Sequence, residues 1–198
     1  MVFKQLRKGV IMEEEEYNSI YPENIRQLSG KHWTPVSVAK IAAEYLAAGS
    51  GTKVLDIGSG VGKFCMIGSA LTEGHFTGVE YREELCNLSN ELARKYDLAN
   101  IEFIHSNITG IDFKEYQAFY FFNSFIEHMS ESEVMDSSVP VSPQLYGKYN
   151  QYLRMQFAGM PVGTRLATYW GNSEEVPRGY VVQATAFEGE LKMWEKLF

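Results

Sequence analysis

Along most of the chain, short apolar runs alternate with longer segments in which apolar residues recur every three or four positions. The short runs are typical of buried strands, and the longer segments are typical of helices with one buried face. The apolar runs predict seven strands, which cover residues 53–57, 75–81, 101–107, 116–125, 164–170, 180–187 and 190–198. The helical spacing predicts four helices, which cover residues 35–48, 63–73, 82–98 and 143–159.

The order of these elements determines the fold class. Strands that alternate with helices form right-handed crossovers, and such crossovers build a mostly parallel sheet covered on both faces. The last two strands are joined by a short turn around Gly189 and must therefore be antiparallel to each other. The pattern predicts a doubly wound α/β fold with a seven-stranded, mostly parallel sheet, helices on both faces and an antiparallel C-terminal hairpin.

The first part of the chain differs from the rest because it is polar and has no clear period. Residues 1–30 contain four consecutive glutamates, Glu13 to Glu16, which are most simply a solvated helix face. Regular spacing begins at Thr34, an expected N-cap, followed by Pro35 at the first helical position. We therefore divide the chain into an N-terminal arm or lid at 1–33 and a domain at 34–198.

Composition narrows the function classes. The 198 residues are 45% hydrophobic and carry a net charge of -7, so the chain can bury a core and has no general attraction to nucleic acid or anionic membranes. Cys65 and Cys86 have no metal-ligand spacing, and we expect two small buried residues, with no disulfide framework and no metal site. No targeting or membrane segment is visible in the sequence, which leads us to expect a cytoplasmic protein.

The first strand leads into the turn VLDIGSGVGK, which contains three glycines. A glycine turn between a strand and a helix lets the backbone approach a ligand closely. A dinucleotide-binding turn counted from Gly58 needs a glycine at 63, where this chain has Lys63. Instead, glycines stand at 58, 60 and 62, and Asp56 precedes them by two positions.

This spacing resembles the D-x-G-x-G-x-G motif of class I methyltransferases that use S-adenosylmethionine (SAM), a family with a Rossmann-like fold. The resemblance implies SAM as the cofactor, with Asp56 holding its ammonium group and Gly58, Ser59, Gly60 and Gly62 forming the turn around its methionine part. Glu80 ends the second strand, where the family binds both ribose hydroxyls with a carboxylate. The alternative for Glu80 is an ordinary strand-end acid facing water.

Further positions match the cofactor site of this family one at a time. Tyr81 is placed to pack its ring against adenine, and Ile108 to form an apolar wall. Asn107 stands where the family often has an acid that binds the adenine amino group, and its side-chain oxygen can accept that bond. Trp33 and Thr34, at the end of the arm, are expected near the methionine part, although Trp33 can also serve to staple the arm to the first helix.

The fourth strand ends in Asn123-Ser124-Phe125, beside the expected position of the transferred methyl. These residues resemble the N-P-F/Y and N-N-F signatures of nitrogen methyltransferases, in particular the non-SET lysine-type enzymes. The resemblance implies that Asn123 orients an amine for in-line displacement, whereas a loop-capping role for Asn123 is almost as well supported. Glu127 and His128 are candidates for accepting the amine proton or steering a cationic substrate.

Three functions remain open on the sequence. The favoured one is a methyltransferase acting on a nitrogen of a protein lysine or a small amine. The second is a non-catalytic SAM-binding module, since no general base is recognisable. The third, a nicotinamide-dependent reductase, is disfavoured by Lys63. No nucleic-acid or membrane partner is expected, and the loop at 131–144 is expected to border the substrate opening.

Overall fold

A computed structural model describes residues 2–27, 29–129, 138–171 and 173–198 of the chain. Its centre is one seven-stranded sheet with the order β3-β2-β1-β4-β5-β7-β6. The strands are β1 (Lys53–Ile57), β2 (His75–Glu80), β3 (Ile101–His105), β4 (Ala118–Phe121), β5 (Arg165–Tyr169), β6 (Tyr180–Ala186) and β7 (Leu191–Lys196). All seven predicted strands are confirmed, with ends that differ by a few residues from the expected ones.

The sheet is parallel except at β7. Strand β1 pairs in parallel with β2 and β4, and β7 runs antiparallel to both β5 and β6. Four of the five residues of β1 are buried, as expected for a central strand covered on both faces. Because the chain leaves β1 toward one side and β4 toward the other, the topology opens a cleft at the carboxyl ends of these two strands.

Eight α-helices are present in the described part of the chain. They are α1 (Val2–Arg7), α2 (Glu14–Asn18), α3 (Glu23–Arg26), α4 (Ser29–His32), α5 (Val36–Leu46), α6 (Lys63–Leu71), α7 (Glu83–Lys95) and α8 (Pro143–Ala158). One apolar cluster holds residues of α5, α6 and α7, and a second holds residues of α8 with the inner strands. The predicted covering of both sheet faces is therefore confirmed.

The arm is more ordered than its sequence predicts. It forms short helices, and Phe3, Leu6, Tyr17 and Tyr21 are buried in the same cluster as α5 and α6. The Phe3 and Tyr17 rings meet edge to face at 5.9 Å between centroids. The expectation of an irregular segment was wrong because the aromatic residues, widely spaced in sequence, are brought together by the folded domain.

The start of α5 corrects another prediction. Thr34 does not cap this helix: its hydroxyl lies 3.0 Å from the Tyr120 hydroxyl, and Pro35 occupies the N-cap position. The free N–H of Val36 instead donates to the Glu14 carboxylate at 2.5 Å. Glu14 is thus not part of a purely solvated face, since it supplies from the arm the acceptor that a helix start requires.

Three further features concern the cysteines, metal ions and membranes. Cys65 and Cys86 are both free and buried, as expected of small core residues. The described residues contain no cluster of three or more histidine, cysteine or acidic side chains suited to a metal ion. None of the helices in the described ranges combines the length and apolar character needed to cross a membrane.

Candidate functional site

A cavity of about 670 Å³ lies at the carboxyl ends of the parallel strands. Its walls come from the end of the arm, the β1–α6 turn, the end of β2, the segment after β3, the segment after β4, and the residues after β5. The volume falls within the usual range for pockets that bind small molecules and cofactors. The cleft opened by the sheet topology is therefore a cofactor-sized site.

The three glycines of the β1–α6 turn all have positive φ, but they serve different purposes. At Gly60, with φ +53°, an added Cβ would meet no protein atom within 4 Å, so the residue leaves its space to the cavity. At Gly58 the added Cβ would collide with Ser124, and at Gly62 with the ring of Phe103. Unlike the other two, Gly62 does not line the cavity. Its missing side chain makes room for the Phe103 ring in the core, so the structure does not place Gly62 beside the cofactor as expected.

Asp56 lies at the cavity wall and is only 4% exposed. Burial raises the pKa of its carboxyl to about 7, and the nearby charge of Glu80 acts in the same direction. The Cys65 thiol, 3.4 Å from Oδ2, opposes this shift by hydrogen bonding to the carboxylate. A buried carboxylate with no cation among its described partners is suited to receive a cationic ligand group.

Glu80 ends β2 with its carboxylate buried at the cavity, so the expectation of an ordinary water-facing acid is excluded. Its two oxygens accept backbone N–H groups from Gly60 at 2.9 Å and from Arg82 at 2.8 Å. Burial raises the pKa of Glu80, while these two hydrogen bonds oppose the shift. The bonds fix the carboxylate against the glycine turn and still leave lone pairs for a ligand diol.

Arg82 was not identified from the sequence, yet it connects the two sides of the cavity. Its guanidinium forms a two-pronged ion pair with Glu127, with N–O distances of 3.1 and 2.6 Å. Both side chains are largely buried, and the guanidinium is also 4.0 Å from Glu80. No sequence signal distinguishes this arginine from a helix-start residue, because its partner lies 45 residues away.

Lys63 was used in the sequence reasoning only to argue against a dinucleotide site. In the structure Lys63 lines the cavity, and its ammonium lies 2.5 Å from Glu14 Oε2 and 2.9 Å from Asn18 Oδ1. It also lies over the rings of Tyr17 and Trp33, at 5.2 and 5.9 Å from their centroids. Burial lowers the pKa of Lys63, and Glu14 opposes that shift.

The other residues expected to bind the cofactor also line the cavity, but they differ in exposure and in hydrogen bonding. Trp33 is buried and packs on Tyr21 at 4.6 Å, Tyr81 is 55% exposed, and Ile108 is buried. The Asn107 side-chain oxygen already accepts two hydrogen bonds, from Thr109 N and Oγ1. An adenine contact through this oxygen would need a third bond, so the role of Asn107 stays a prediction.

The residues after β4 have distinct environments. Asn123 has φ +42°, lines the cavity, and makes no side-chain hydrogen bond to any described residue. The Ser124 hydroxyl donates to the Ile57 carbonyl, and Phe125 is buried against the Tyr149 ring at 4.9 Å. Of the three signature residues, Asn123 is therefore the one whose polar group is available in the cavity.

The two acid-base candidates, Glu127 and His128, also differ in whether their polar atoms are already engaged by the protein. Glu127 is held by both nitrogens of the Arg82 fork, which commits its carboxylate to the protein. His128 lies with Nδ1 2.7 Å from the Pro140 carbonyl and stacks on Tyr149 at 5.5 Å. Since a carbonyl can only accept, Nδ1 carries the proton in this contact and Nε2 of the neutral ring keeps its lone pair.

Aromatic and apolar groups form the remaining wall of the cavity. Phe122 and Trp170 lie 6.5 Å apart, and Trp170 is 56% exposed with φ +57°. Val139 and Pro140 also line the cavity and belong to the loop expected to border the opening. Residues 131–137 of that loop lie outside the described part of the chain.

These residues fit SAM. Two buried acids match its ammonium and ribose groups, and Gly60 leaves room for close backbone approach. The donor set, acidic where SAM is cationic and apolar elsewhere, agrees with the chemistry of this cofactor.

Comparison with known proteins adds the reaction class. A family model described as a methyltransferase domain matches residues 48–140, just under half of the chain. No protein of curated function matches the chain with significance. The matched segment extends from the end of α5 past the Asn123 signature, and so includes both acids and the glycine turn.

Solved structures share the fold. An RNA methyltransferase from Salinibacter ruber, in complex with S-adenosyl-L-homocysteine, is 19% identical over 83% of this chain and 94% of its own, with a TM-score of 0.60. A SAM-dependent O-methyltransferase from Thermotoga maritima is 16% identical over 89% of this chain and 72% of its own, with a TM-score of 0.56. A SAM-dependent methyltransferase from Aquifex aeolicus is 19% identical over 88% and 96%, with a TM-score of 0.52.

Identities this low show a common fold and do not identify an acceptor. Together with the methyltransferase-domain match, the fold and the cavity support an enzyme that transfers methyl groups, with SAM as its cofactor. The nicotinamide alternative gains no support from any of these matches.

Proposed function

We propose that this SAM-dependent methyltransferase transfers its methyl group to a nitrogen, of a protein lysine side chain or of a small amine. The observation that carries the proposal is the Asn123 amide, which faces the cavity without a described protein partner. An amide oxygen accepts a hydrogen bond from an amine and leaves the amine lone pair free to point elsewhere.

The backbone holds Asn123 in place. Its φ of +42° lies in the left-handed region, which asparagine tolerates better than most residues. The turn is fixed because Ile126 N donates to the Asn123 carbonyl at 3.0 Å, and because Ser124 is tied to β1. An amide fixed before the substrate arrives loses little entropy when it binds, which favours alignment of the amine.

The acceptor amine must reach the site without a proton. The apolar wall disfavours an ammonium group and lowers the pKa of an amine that enters it. Glu127 is committed to Arg82, so His128 Nε2 is the better candidate for taking the proton. Bound SAM supplies a methyl group on a sulfonium; the amine gains the methyl carbon, and the C–S bond pair stays on sulfur as a thioether.

The test is an acceptor panel with purified protein and SAM, in which S-adenosylhomocysteine formation and methyl incorporation are both measured. We expect lysine-containing peptides or small amines to be methylated, with a rate that rises with pH as the amine loses its proton. Alcohols, phenols and RNA of matched size serve as comparison acceptors. Methyl transfer to oxygen or RNA, with none to any amine, would refute the nitrogen assignment.

A further inference from the structure

Lys63 lines the cofactor cavity and carries a buried cation, on a side chain only 3% exposed. A buried lysine is costly unless several acceptors and rings compensate for the lost hydration. Glu14, Asn18 and the faces of two aromatic rings provide that compensation from the arm side.

The hydrogen-bond count at Lys63 is incomplete. An ammonium carries three N–H donors, and the described contacts use one for Glu14 and one for Asn18. The third donor has no hydrogen-bond acceptor among the described residues, and the residue to which it belongs lines the cavity. The Lys63 ammonium is therefore preorganised to bind an anion on the side of the cavity formed by the arm.

The cofactor has a group that requires such a contact. The methionine part of SAM is a zwitterion, and Asp56 can satisfy its ammonium but repels its carboxylate. Lys63 begins α6, and Cys65, two residues later, contacts Asp56 of β1 at 3.4 Å, so the Asp56 carboxyl lies against the first turn of the helix that Lys63 begins. The N-terminal end of a helix further favours an anion.

The other candidate cation is already engaged. Among the described residues that line the cavity, the lysine and arginine side chains are Lys63 and Arg82. Arg82 uses both terminal nitrogens on Glu127 and lies beside Glu80, which is expected to bind the ribose. The carboxylate of the cofactor therefore has Lys63 as its available partner.

We propose that the Lys63 ammonium binds the α-carboxylate of SAM, while Glu14 and Asn18 act as positioning residues that hold it at the cavity wall. The proposal rests on SAM as cofactor and is independent of the acceptor. Glu14 thereby has two roles, since the same carboxylate also caps the start of α5 through Val36 N. The arm would then contribute to cofactor binding indirectly, as a support for Lys63.

The test compares two ligands that differ by one carboxylate. Wild type and Lys63→Met are titrated calorimetrically with S-adenosylhomocysteine and with its decarboxylated analogue, which keeps the ammonium, ribose and adenine. We expect the variant to bind S-adenosylhomocysteine roughly 10- to 100-fold more weakly, as for loss of one charged hydrogen bond, and the analogue within about 3-fold of wild type. Retained binding of the analogue also shows that the variant is folded.

Two further variants separate this role from simple docking of the arm. Lys40→Met removes an exposed lysine on α5 and should change neither affinity. Glu14→Gln should lower the melting temperature through the arm while weakening S-adenosylhomocysteine much less than Lys63→Met does. Equal losses for both ligands in Lys63→Met, or an unchanged S-adenosylhomocysteine affinity, would overturn the proposal. Failure of wild type to bind S-adenosylhomocysteine would overturn the cofactor assignment as well.

Discussion

The two ends of the cavity are built in different ways. The cofactor end contains two buried acids: Glu80 accepts two backbone N–H groups, and Asp56 accepts a hydrogen bond from the Cys65 thiol. The proposed acceptor end, formed by the residues after β4 and the rings around them, is largely aromatic and carries the Asn123 amide and His128. The first end can recognise one fixed set of ligand charges, whereas the second selects by shape and by few hydrogen bonds.

This difference has a physical origin. SAM presents an ammonium, a carboxylate and a diol at fixed separations, which rigid strand ends and one helix start can match. The proposed acceptor, an amine that must lose its proton before transfer, is better served by an environment without strong charges. Arg82 and Glu127 satisfy each other at the boundary, so neither adds an uncompensated charge to the acceptor side.

The largest expected effect is at the cofactor end. Glu80→Ala should weaken SAM binding by about 3 kcal/mol, roughly 100-fold or more, because it removes the charged acceptor for the ribose hydroxyls. The exposed Glu83 on α7 provides the matched control, since Glu83→Ala should leave the affinity unchanged. The measurement is calorimetric titration of both variants with SAM. An affinity of Glu80→Ala within 3-fold of wild type would show that Glu80 does not bind the ribose.

At the acceptor end, the expected change is in transfer and not in cofactor affinity. Asn123→Gly removes the amide but accepts the positive φ without strain, so it separates chemistry from folding. We expect kcat to fall roughly 10- to 100-fold while the Kd for SAM stays within about 2-fold. Steady-state kinetics and titration on the same preparation test this, and unchanged kcat would assign Asn123 to loop capping.

The contrast between the two ends also explains what the sequence could predict. Asp56, the glycines and Glu80 form one local motif along two consecutive strands, so the sequence showed their resemblance to the methyltransferase motif, and this resemblance implied the cofactor. Arg82–Glu127 and Lys63–Glu14 are pairs separated by 45 and 49 residues, and no local pattern encodes them. The tertiary fold determines these contacts, as it determines the burial of the arm.

The raised pKa of Asp56 makes cofactor binding depend on pH. The carboxyl has a pKa of about 7 in the unliganded protein, and an ammonium partner favours its ionised form. Below pH 7 binding must displace a proton, so affinity for SAM should fall up to tenfold per unit from pH 7 to pH 5.5 and level off above pH 7.5. Asp56→Asn should bind weakly with little pH dependence from this group.

The measurement is a series of SAM titrations between pH 5.5 and pH 8 in buffers of different ionisation enthalpy, which also reports proton release. Asp56→Asn provides its own folding control, because it removes a charge that is costly to bury and should not lower the melting temperature at pH 8. A flat affinity profile in wild type, with no proton displaced at pH 6, would place the ammonium group away from Asp56.

The smallest expected effect tests the boundary between the two ends. Arg82→Lys keeps the positive charge but cannot form the two-pronged contact with Glu127. Because this contact ties the segment after β4 to the end of β2, its loosening should misalign Asn123 without removing any cofactor contact. We expect a 2- to 5-fold loss in kcat, an unchanged Kd for SAM and a loss of about 1 kcal/mol in the free energy of unfolding. Arg94→Lys, an exposed change on α7, is the control for a generic arginine effect. If Arg82→Lys weakened SAM binding and left kcat intact, Arg82 would belong to the cofactor end. The Arg82–Glu127 ion pair would then have no part in aligning Asn123.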